Sequence, residues 1–313
     1  MNSDEQTTEE RCPACGGELE PDASLRGNDR LHGTPGDVTV RCCRKCGSGV
    51  SFPLASAAEL PAFYPSAYGP YDDALGAVTG AISRGIRGYQ GSRALATAPL
   101  RALRGLPPGR AVDVGCGRGD LAGLLVERGW RMTGIEPSPA ACRTARARGV
   151  DAREGTLGDV TLESGAYDAA IFRHSLEHTD DVPRDLMATV RALRPGGLLL
   201  VTVPNFACWQ RRRFGDRWYH LDLPRHRVHL TPRGLRAALE RAGTQVESLS
   251  TSTSTVGLPA SVQYRLAGRC LFPSGLSLRV ATGLCAAALP LAWALDRAHG
   301  GGDQLHAVAQ RPR

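Results

Sequence analysis

The sequence predicts an α/β protein whose central sheet is mostly parallel, with helices on both faces. From Arg110 onward, short apolar runs alternate with helical patterns about every 20 to 30 residues, which is typical of repeated βαβ units. The chain has 313 residues, so it is long enough to bury a large core and to carry smaller modules as well.

Seven short apolar runs are predicted strands, and four helical patterns lie between them. The last strand is expected to run antiparallel to its neighbours. The predicted strands are 111–114, 131–135, 150–153, 167–172, 198–203, 245–251 and 305–310. The predicted helices are 121–128, 139–148, 182–193 and 232–242.

The composition is that of an ordinary globular protein. The apolar fraction of 42% and the charged fraction of 22% exclude a disordered, collagen-like or polytopic membrane chain. The net charge is +7, but Lys45 is the only lysine, so the arginine excess indicates coding bias rather than nucleic-acid binding. The first ten residues are polar and acidic, without the apolar run of a secretory signal, and we therefore expect a cytoplasmic protein.

Two cysteine pairs near the N-terminus predict a zinc site. Cys12 and Cys15 form one C-x2-C-G turn, and Cys43 and Cys46 form a second. Structural zinc prefers four tetrahedral thiolates, and each turn presents two sulfurs from one tight loop. Cys42 is an alternative to Cys43, but only Cys43 repeats the C-x2-C-G spacing. Because four sulfurs leave no open coordination position, we predict a structural role for the zinc ion.

A strand that runs into a glycine-rich turn predicts a ligand site. Asp113 lies two residues before the first glycine, and Gly115–Gly119 has the pattern G-x-G-x-G. Glycines let the backbone approach a ligand closely, and the helix that follows offers its N-terminal amides. Asp120 replaces the third glycine of the dinucleotide-binding pattern, so the turn does not need to hold a pyrophosphate. Glu136 ends the next strand, where an acid accepts both ribose hydroxyls of a nucleoside.

Four blocks of the sequence resemble those of a known enzyme family. They are VDVGCGRGD, GIEPS, YDAAIFRHSLEH and LRPGGLLLVTVPN. Over residues 110–243 the chain resembles the class I S-adenosylmethionine-dependent methyltransferases, in the group that includes the ubiquinone-type O-methyltransferases. The resemblance implies a seven-stranded Rossmann-like sheet and S-adenosyl-L-methionine as cofactor. The zinc-ribbon-like segment and the long C-terminal segment lie outside the common core of that family.

The resemblance also implies which residues hold the cofactor. Asp113 and the glycine turn would hold its methionine part, Glu136 would bind the ribose, and the turn after the third strand would flank the adenine. The residues implied in this way are Asp113, Gly115, Cys116, Gly117, Gly119, Glu136, Pro137, Thr156, Leu157 and His174.

The chain is expected to divide into four parts. The first two are a zinc-ribbon-like module at 1–52 and an irregular and helical linker at 53–108. The methyltransferase core is expected at 109–252 and 303–313, with a substrate-side insert at 205–231. An apolar helical insert is expected at 253–302.

Histidines near the carboxyl edge of the sheet are candidate bases. Ligands of open α/β sheets bind outside the carboxyl ends of the strands, so His174 and His178, after the fourth strand, face the cofactor crevice. Together they match the H-x-x-E-H pattern of zinc peptidases, but that pattern requires a helix, and a strand end is predicted here. The insert after strand five contributes His226, with Arg225 and Arg227 as candidate anion-binding residues. We predict that His174 or His226 takes a proton from the acceptor.

Residues 271–295 are strongly apolar, with no charge from 280 to 295. These last 16 residues would span about 24 Å as a helix, less than the roughly 30 Å core of a bilayer. We interpret the segment as a packed helical cap or a contact between two copies of the chain. The alternative hypothesis is a lid that docks on a membrane surface and admits a lipid-like acceptor.

The sequence therefore predicts methyl transfer to a small molecule, with a hydroxyl as the favoured acceptor. One alternative is an RNA methyltransferase whose zinc module binds RNA. Methyltransferases that modify base amino groups usually carry an acid-Pro-Pro-aromatic motif after strand four, where this chain has Phe172–Ser175, so nucleic acid is disfavoured. Another alternative is a noncatalytic scaffold that binds the cofactor without consuming it.

Overall fold

The computed structural model describes residues 11–54, 59, 63, 64, 95–271 and 275–313, without the side chains of residues 275–286. Residues 1–10 of the predicted zinc module and most of the predicted linker at 53–108 lie outside the described residues. Within the linker, a short 3₁₀ helix spans Leu100–Gly105.

A small antiparallel sheet carries the N-terminal cysteines. Its first three strands are β1 (Leu25–Gly27), β2 (Val38–Cys42) and β3 (Gly49–Phe52). The remaining strands are β4 (Arg110–Val114), β5 (Arg131–Glu136), β6 (Asp151–Glu154), β7 (Tyr167–Arg173), β8 (Leu193–Pro204), β9 (Val228–His229), β10 (Gln245–Ser252) and β11 (Gln304–Gln310).

A seven-stranded sheet forms the centre of the protein, as the sequence predicts. Its order is β10-β11-β8-β7-β4-β5-β6. The pairs from β8 to β6 are parallel, whereas β11 runs antiparallel to both β8 and β10. Consequently the segments that follow β4, β5, β6 and β7 all leave from one edge of the sheet.

Helices cover both faces of this sheet. They are α1 (Asp120–Val126), α2 (Pro139–Arg146), α3 (Val182–Ala192), α4 (Trp209–Phe214) and α5 (Pro232–Arg241). Successive residues of β7 alternate between the two faces: Ala169 and Ile171 pack in the core with α1 and α2, and Ala170 and Phe172 pack in the core with α3 and α5. Side chains of Ser138, Asp181 and Thr231 cap the first turns of α2, α3 and α5.

Strand β9 lies in the segment after β8 and joins the small sheet rather than the large one. It pairs antiparallel with β3, with Gly49 opposite His229 and Val50 opposite Val228. The cysteine-bearing sheet is therefore continuous with the segment that was expected to cover the acceptor.

Two helices, α6 (Gly257–Ala267) and α7 (Gly275–Ala298), lie between β10 and β11. In the part of the chain that the structure describes, no helix combines the length and the apolar character needed to cross a membrane.

Candidate functional site

The glycine-rich turn joins β4 to α1. Gly115 has a φ of +74°, and its N–H donates a hydrogen bond to the carbonyl oxygen of Ile135 at 2.8 Å. A Cβ at Gly115 would lie 2.5 Å from the Cβ of Ser175, so a side chain does not fit there. At Gly117, with a φ of +54°, a Cβ would have no other described heavy atom within 4 Å. The turn therefore leaves open space through which a ligand can approach the backbone.

Glu136 ends β5 with a buried carboxylate beside this turn. Its Oε2 accepts a hydrogen bond from the N–H of Gly117 at 2.9 Å, and its Oε1 accepts one from the N–H of Ser138 at 2.9 Å. The residue is 3% exposed. Two backbone donors hold the carboxylate in one orientation, which suits an acid that must recognise a pair of ribose hydroxyls.

Asp113 places a second buried carboxyl group before the turn. Burial raises its pKa to about 7; Arg173 opposes this effect, and the carboxylate of Glu136 adds to it. A positively charged ligand group beside Asp113 would favour its ionised form and lower the pKa again. The pair of acids therefore suits a cationic nucleoside better than a pyrophosphate.

The turn after β6 lies beside the end of β5. The N–H of Gly155 donates a hydrogen bond to the carbonyl oxygen of Glu136 at 3.1 Å, which ties the two strand ends together. The N–H and the hydroxyl of Thr156 both donate hydrogen bonds to Oδ2 of Asp159, at 2.9 and 2.8 Å. The same edge of the sheet carries the remaining predicted cofactor-binding residues Cys116, Gly119, Pro137 and Leu157.

This strand order, with a glycine turn after β4 and a buried acid at the end of β5, is that of the class I S-adenosylmethionine-dependent methyltransferase fold. The open space at Gly117 and the two buried carboxyl groups fit S-adenosyl-L-methionine. A family model described as "Methyltransferase domain" matches residues 87–249, more than half of the chain. The chain therefore belongs to the methyltransferase domain family.

Curated relatives match the same region. A malonyl-[acyl-carrier protein] O-methyltransferase from Serratia marcescens is 31% identical over 157 residues, which cover 48% of this chain and 60% of the relative. A ubiquinone biosynthesis O-methyltransferase from Xanthomonas oryzae pv. oryzae is 32% identical over 154 residues, 45% of this chain and 64% of the relative. The chain thus spans less than two thirds of the length of these relatives.

A solved structure of an S-adenosylmethionine-dependent methyltransferase from Mesorhizobium loti also resembles this chain. The two sequences are 21% identical, and the match covers 69% of this chain and 98% of the Mesorhizobium loti chain, with a TM-score of 0.47.

His174 lies just beyond β7 and has an unusual backbone for a residue with a side chain, with a φ of +54°. Its N–H donates to the carbonyl oxygen of Thr202 at 2.8 Å, which fixes this conformation. The ring Nδ1 lies 3.5 Å from Oε1 of Glu177, and the ring Nε2 lies 3.3 Å from Nε2 of Gln304. Because the amide nitrogen of Gln304 donates, these contacts place a hydrogen on Nδ1 and a lone pair on Nε2 of His174.

The residues after His174 form a 3₁₀ turn, Leu176–His178, rather than the helix that a zinc peptidase requires. This turn places Glu177 in the protein interior, 1% exposed, and His178 beside the insert that follows β8. His226 of that insert is also buried, and its ring centroid lies 4.7 Å from that of His178. The structure therefore brings His174, His178 and His226 together around one carboxylate.

Backbone and side-chain hydrogen bonds hold the insert against this turn. The N–H of Arg227 donates to the carbonyl oxygen of Glu177 at 2.8 Å, and the hydroxyl of Ser51 donates to the carbonyl oxygen of His226 at 2.8 Å. Sequence reasoning did not single out Glu177 or Ser51. Glu177 lies inside the YDAAIFRHSLEH block, which was a usable signal, whereas no pattern links Ser51 to a residue so distant in sequence.

Arg225 does not have the anion-binding role that the sequence suggests. Its side chain is fully buried and pairs with Asp29 at 2.7 Å and with Asp222 at 2.5 Å. These two carboxylates raise the pKa of its guanidinium, although burial opposes this effect. Arg227 pairs with Asp180 in the same way. Arg225 therefore holds the insert to the N-terminal segment at Asp29, and Arg227 holds it to the segment before α3 at Asp180.

The four predicted cysteine ligands form one buried cluster, and Cys42 is not part of it. The sulfurs of Cys12 and Cys46 are 3.7 Å apart, and those of Cys15 and Cys43 are 3.4 Å apart. A disulfide would need about 2.05 Å. With zinc–sulfur bonds of about 2.3 Å, the sulfurs of a tetrahedral site lie roughly 3.8 Å apart. The cluster therefore has the spacing of a four-thiolate zinc site.

Proposed function

We propose that the protein transfers the methyl group of S-adenosyl-L-methionine to a hydroxyl oxygen of a small molecule. The main support for this proposal is the arrangement of the glycine turn, Asp113 and Glu136 at the carboxyl edge of the sheet. The preference for oxygen is supported by the two O-methyltransferases that match the chain at about 30% identity.

The chain's own contribution to this reaction is mainly alignment. The bound sulfonium supplies an already activated methyl group, and holding donor and acceptor in line is worth roughly 7–11 kcal/mol. Gly115–Gly119 and Glu136 position the donor. The insert after β8 lies against the end of β7, where it excludes water and orients the acceptor.

His174 is the better of the two candidate bases. Its side chain is 34% exposed at the strand edge. The lone pair on its Nε2 accepts from Gln304, and an acceptor hydroxyl that displaces Gln304 can donate its proton to this nitrogen. Glu177 lies on the opposite side of the ring and stabilises the positive charge that proton transfer creates. Burial and the neighbouring His178 together lower the pKa of His226 to about 4, so His226 is a weak base.

The test uses donor labelled in its methyl group, with products identified by mass spectrometry after incubation with cell extract. We expect labelled methyl ethers, and a fall in turnover of about 10²- to 10⁴-fold in His174→Gln with unchanged donor affinity. His299→Gln, at an exposed histidine just after α7, is the matched control. Label on RNA, on nitrogen or on carbon would contradict the proposal, as would donor binding without turnover.

The Cys12, Cys15, Cys43 and Cys46 cluster is proposed to hold a structural zinc ion. The sulfur spacing supports this. A Cβ at position 17 would lie 3.2 Å from Sγ of Cys43 and 3.3 Å from Sγ of Cys15, so the glycine there lets the chain pass close to the sulfurs. Zinc binding would contribute on the order of 10 kcal/mol to folding of this small sheet.

The cytoplasmic location stays a prediction, as does contact of 271–295 with a membrane surface or with a second copy of the chain. The exposed side chains of Leu291 and Trp293 on α7, 61% and 56% exposed, support a surface that meets an apolar partner.

A further inference from the structure

Glu177 is a buried carboxylate without a close hydrogen bond. Among the described residues, none makes a well-formed hydrogen bond to either of its oxygens, although Glu177 is only 1% exposed. The nearest ring nitrogens are Nδ1 of His174 at 3.5 Å and Nε2 of His226 at 3.9 Å. A buried charge in a native protein is normally paired closely or bound to a metal ion, and these two imidazoles lie too far from the carboxylate to satisfy it with short hydrogen bonds.

Two histidines near this carboxylate each keep one ring nitrogen available for a metal ion. Nδ1 of His178 lies 3.0 Å from the carbonyl oxygen of Arg225 and 3.1 Å from the hydroxyl oxygen of Tyr64, which can also accept. Nδ1 of His226 lies 2.9 Å from the carbonyl oxygen of His220. A carbonyl only accepts, so each Nδ1 carries the hydrogen and each Nε2 keeps its lone pair. Backbone carbonyls that fix the tautomer in this way are the usual second partners of metal-binding histidines.

We propose that Glu177, His178 and His226 bind a divalent transition-metal ion of the zinc class. One nitrogen of each histidine and one oxygen of Glu177 lie within 4.8 Å of one another. Donor atoms around a tetrahedral ion with bonds of about 2.0–2.1 Å lie roughly 3.4 Å apart, so side-chain shifts of about an ångström close the site. None of these residues belongs to the four-cysteine cluster.

The choice of donors selects the type of ion. Two imidazole nitrogens and one carboxylate suit zinc, cobalt, nickel or iron, whereas magnesium requires oxygen donors and retains water. One further oxygen is near, because Oδ2 of Asp222 lies 3.8 Å from Nε2 of His226. Asp222 is already engaged by Arg225, so we assign three protein ligands and leave the remaining position to an exogenous oxygen.

This position gives the ion a role beside His174. An acceptor oxygen bound to it would lie next to the candidate base, and a metal ion lowers the pKa of a bound hydroxyl. The role rests on the proposed function, but the presence of the ion does not, because metal binding is measured without turnover.

The test is a titration of the full chain, with its cysteine cluster intact, with Co²⁺ after removal of loosely bound metal. Visible absorption separates cobalt bound to nitrogen and oxygen from cobalt bound to thiolates, and mass spectrometry counts the ions. We expect a nitrogen-oxygen cobalt signal in the wild type, weakened at least about tenfold in affinity in Glu177→Gln and in His226→Gln. It should persist in His299→Gln and in Cys42→Ser, since Cys42 lies outside the four-cysteine cluster.

Absence of this signal in the wild type would overturn the assignment, as would a signal of unchanged affinity in Glu177→Gln. Competition by Mg²⁺ at equal concentration would also overturn the choice of a transition-metal ion. Circular dichroism and donor affinity check that each variant is folded. If the two buried variants fail this check, the half-buried His178→Gln decides, since it removes a ligand with less disturbance of the core.

Discussion

The hydroxyl of Ser51 lies between the cysteine-bearing sheet and two histidines of the insert. It donates to the carbonyl oxygen of His226 at 2.8 Å, and the hydroxyl oxygen itself lies 3.0 Å from Nε2 of His229. Because β3 carries Ser51 and pairs with β9, the order of the small sheet controls the position of His226. The zinc-ribbon-like module therefore contacts the candidate acceptor site directly, through Ser51 and through the pairing of β3 with β9.

Replacing this hydroxyl tests the connection. Ser51→Ala leaves a buried carbonyl and a buried imidazole without their partner, so we expect the free energy of unfolding to fall by about 1–3 kcal/mol. Turnover should decrease while donor affinity stays the same, since the cofactor pocket is built from other strands. Chemical denaturation and donor titration measure the two effects, with the exposed Ser24→Ala as control. An equal loss of donor affinity would argue against a local role.

Cys15→Ser is expected to remove the zinc ion and destabilise the small sheet. Oxygen is a poorer zinc ligand than thiolate in this setting, and loss of the ion removes the link between the two cysteine turns. Bound zinc is counted by mass spectrometry, and thermal unfolding reports stability. Cys42→Ser is the matched control, because Cys42 lies next to Cys43 but outside the cluster. Zinc loss in Cys42→Ser but not in Cys15→Ser would refute the assignment.

Glu136→Gln should weaken S-adenosyl-L-methionine binding by at least about tenfold, because the amide keeps the size of the side chain but loses the charge-assisted hydrogen bonds. Isothermal titration calorimetry measures this. Glu154→Gln, at the exposed end of neighbouring β6, serves as control and should bind normally. Equal affinity in the two variants would remove Glu136 from the cofactor site.

Donor affinity is expected to depend on pH through Asp113. Its pKa is about 7 without ligand, and a cationic ligand favours the ionised form, so binding should weaken as pH falls below 7. The limiting slope is about tenfold per pH unit. Stability without ligand changes in the opposite sense: the raised pKa stabilises the fold below 3.8, and this contribution is lost as pH rises through 7.

Calorimetry at several pH values checks the Asp113 prediction, with Asp113→Asn as the comparison. The variant should bind the donor weakly and without this pH dependence. A wild-type profile that is flat between about pH 5.5 and 8.5 would show that Asp113 does not titrate with binding.

The alternation of strands and helices was predictable because each βαβ unit is coded locally. The predicted strand 167–172 and the predicted helix 182–193 differ by one residue at their ends from β7 and α3. The parallel strands of the central sheet followed from this pattern. The cysteine cluster was predictable for the same reason, since each pair of ligands lies within one turn.

Contacts between distant segments were not predictable. The pairing of β9 with β3 depends on a two-residue strand without periodicity, so the sequence did not indicate that the insert joins the small sheet. The pairing of Arg225 with Asp29 has the same origin, and it removed an expected anion-binding residue. Glu177 was visible in the sequence, but its lack of donors depends on which side chains fold around it.

The position of β11 affects the order in which the protein can assemble during translation. Strands β4 to β8 are synthesised consecutively and pair with one another, so the half of the sheet that carries the glycine turn can form early. By contrast, β10 leaves the ribosome before β11, its partner in the sheet, and its hydrogen-bonding edge stays uncovered while α6 and α7 are made. Nascent chains stalled in that interval should already bind nucleoside but should be the ones most prone to aggregation.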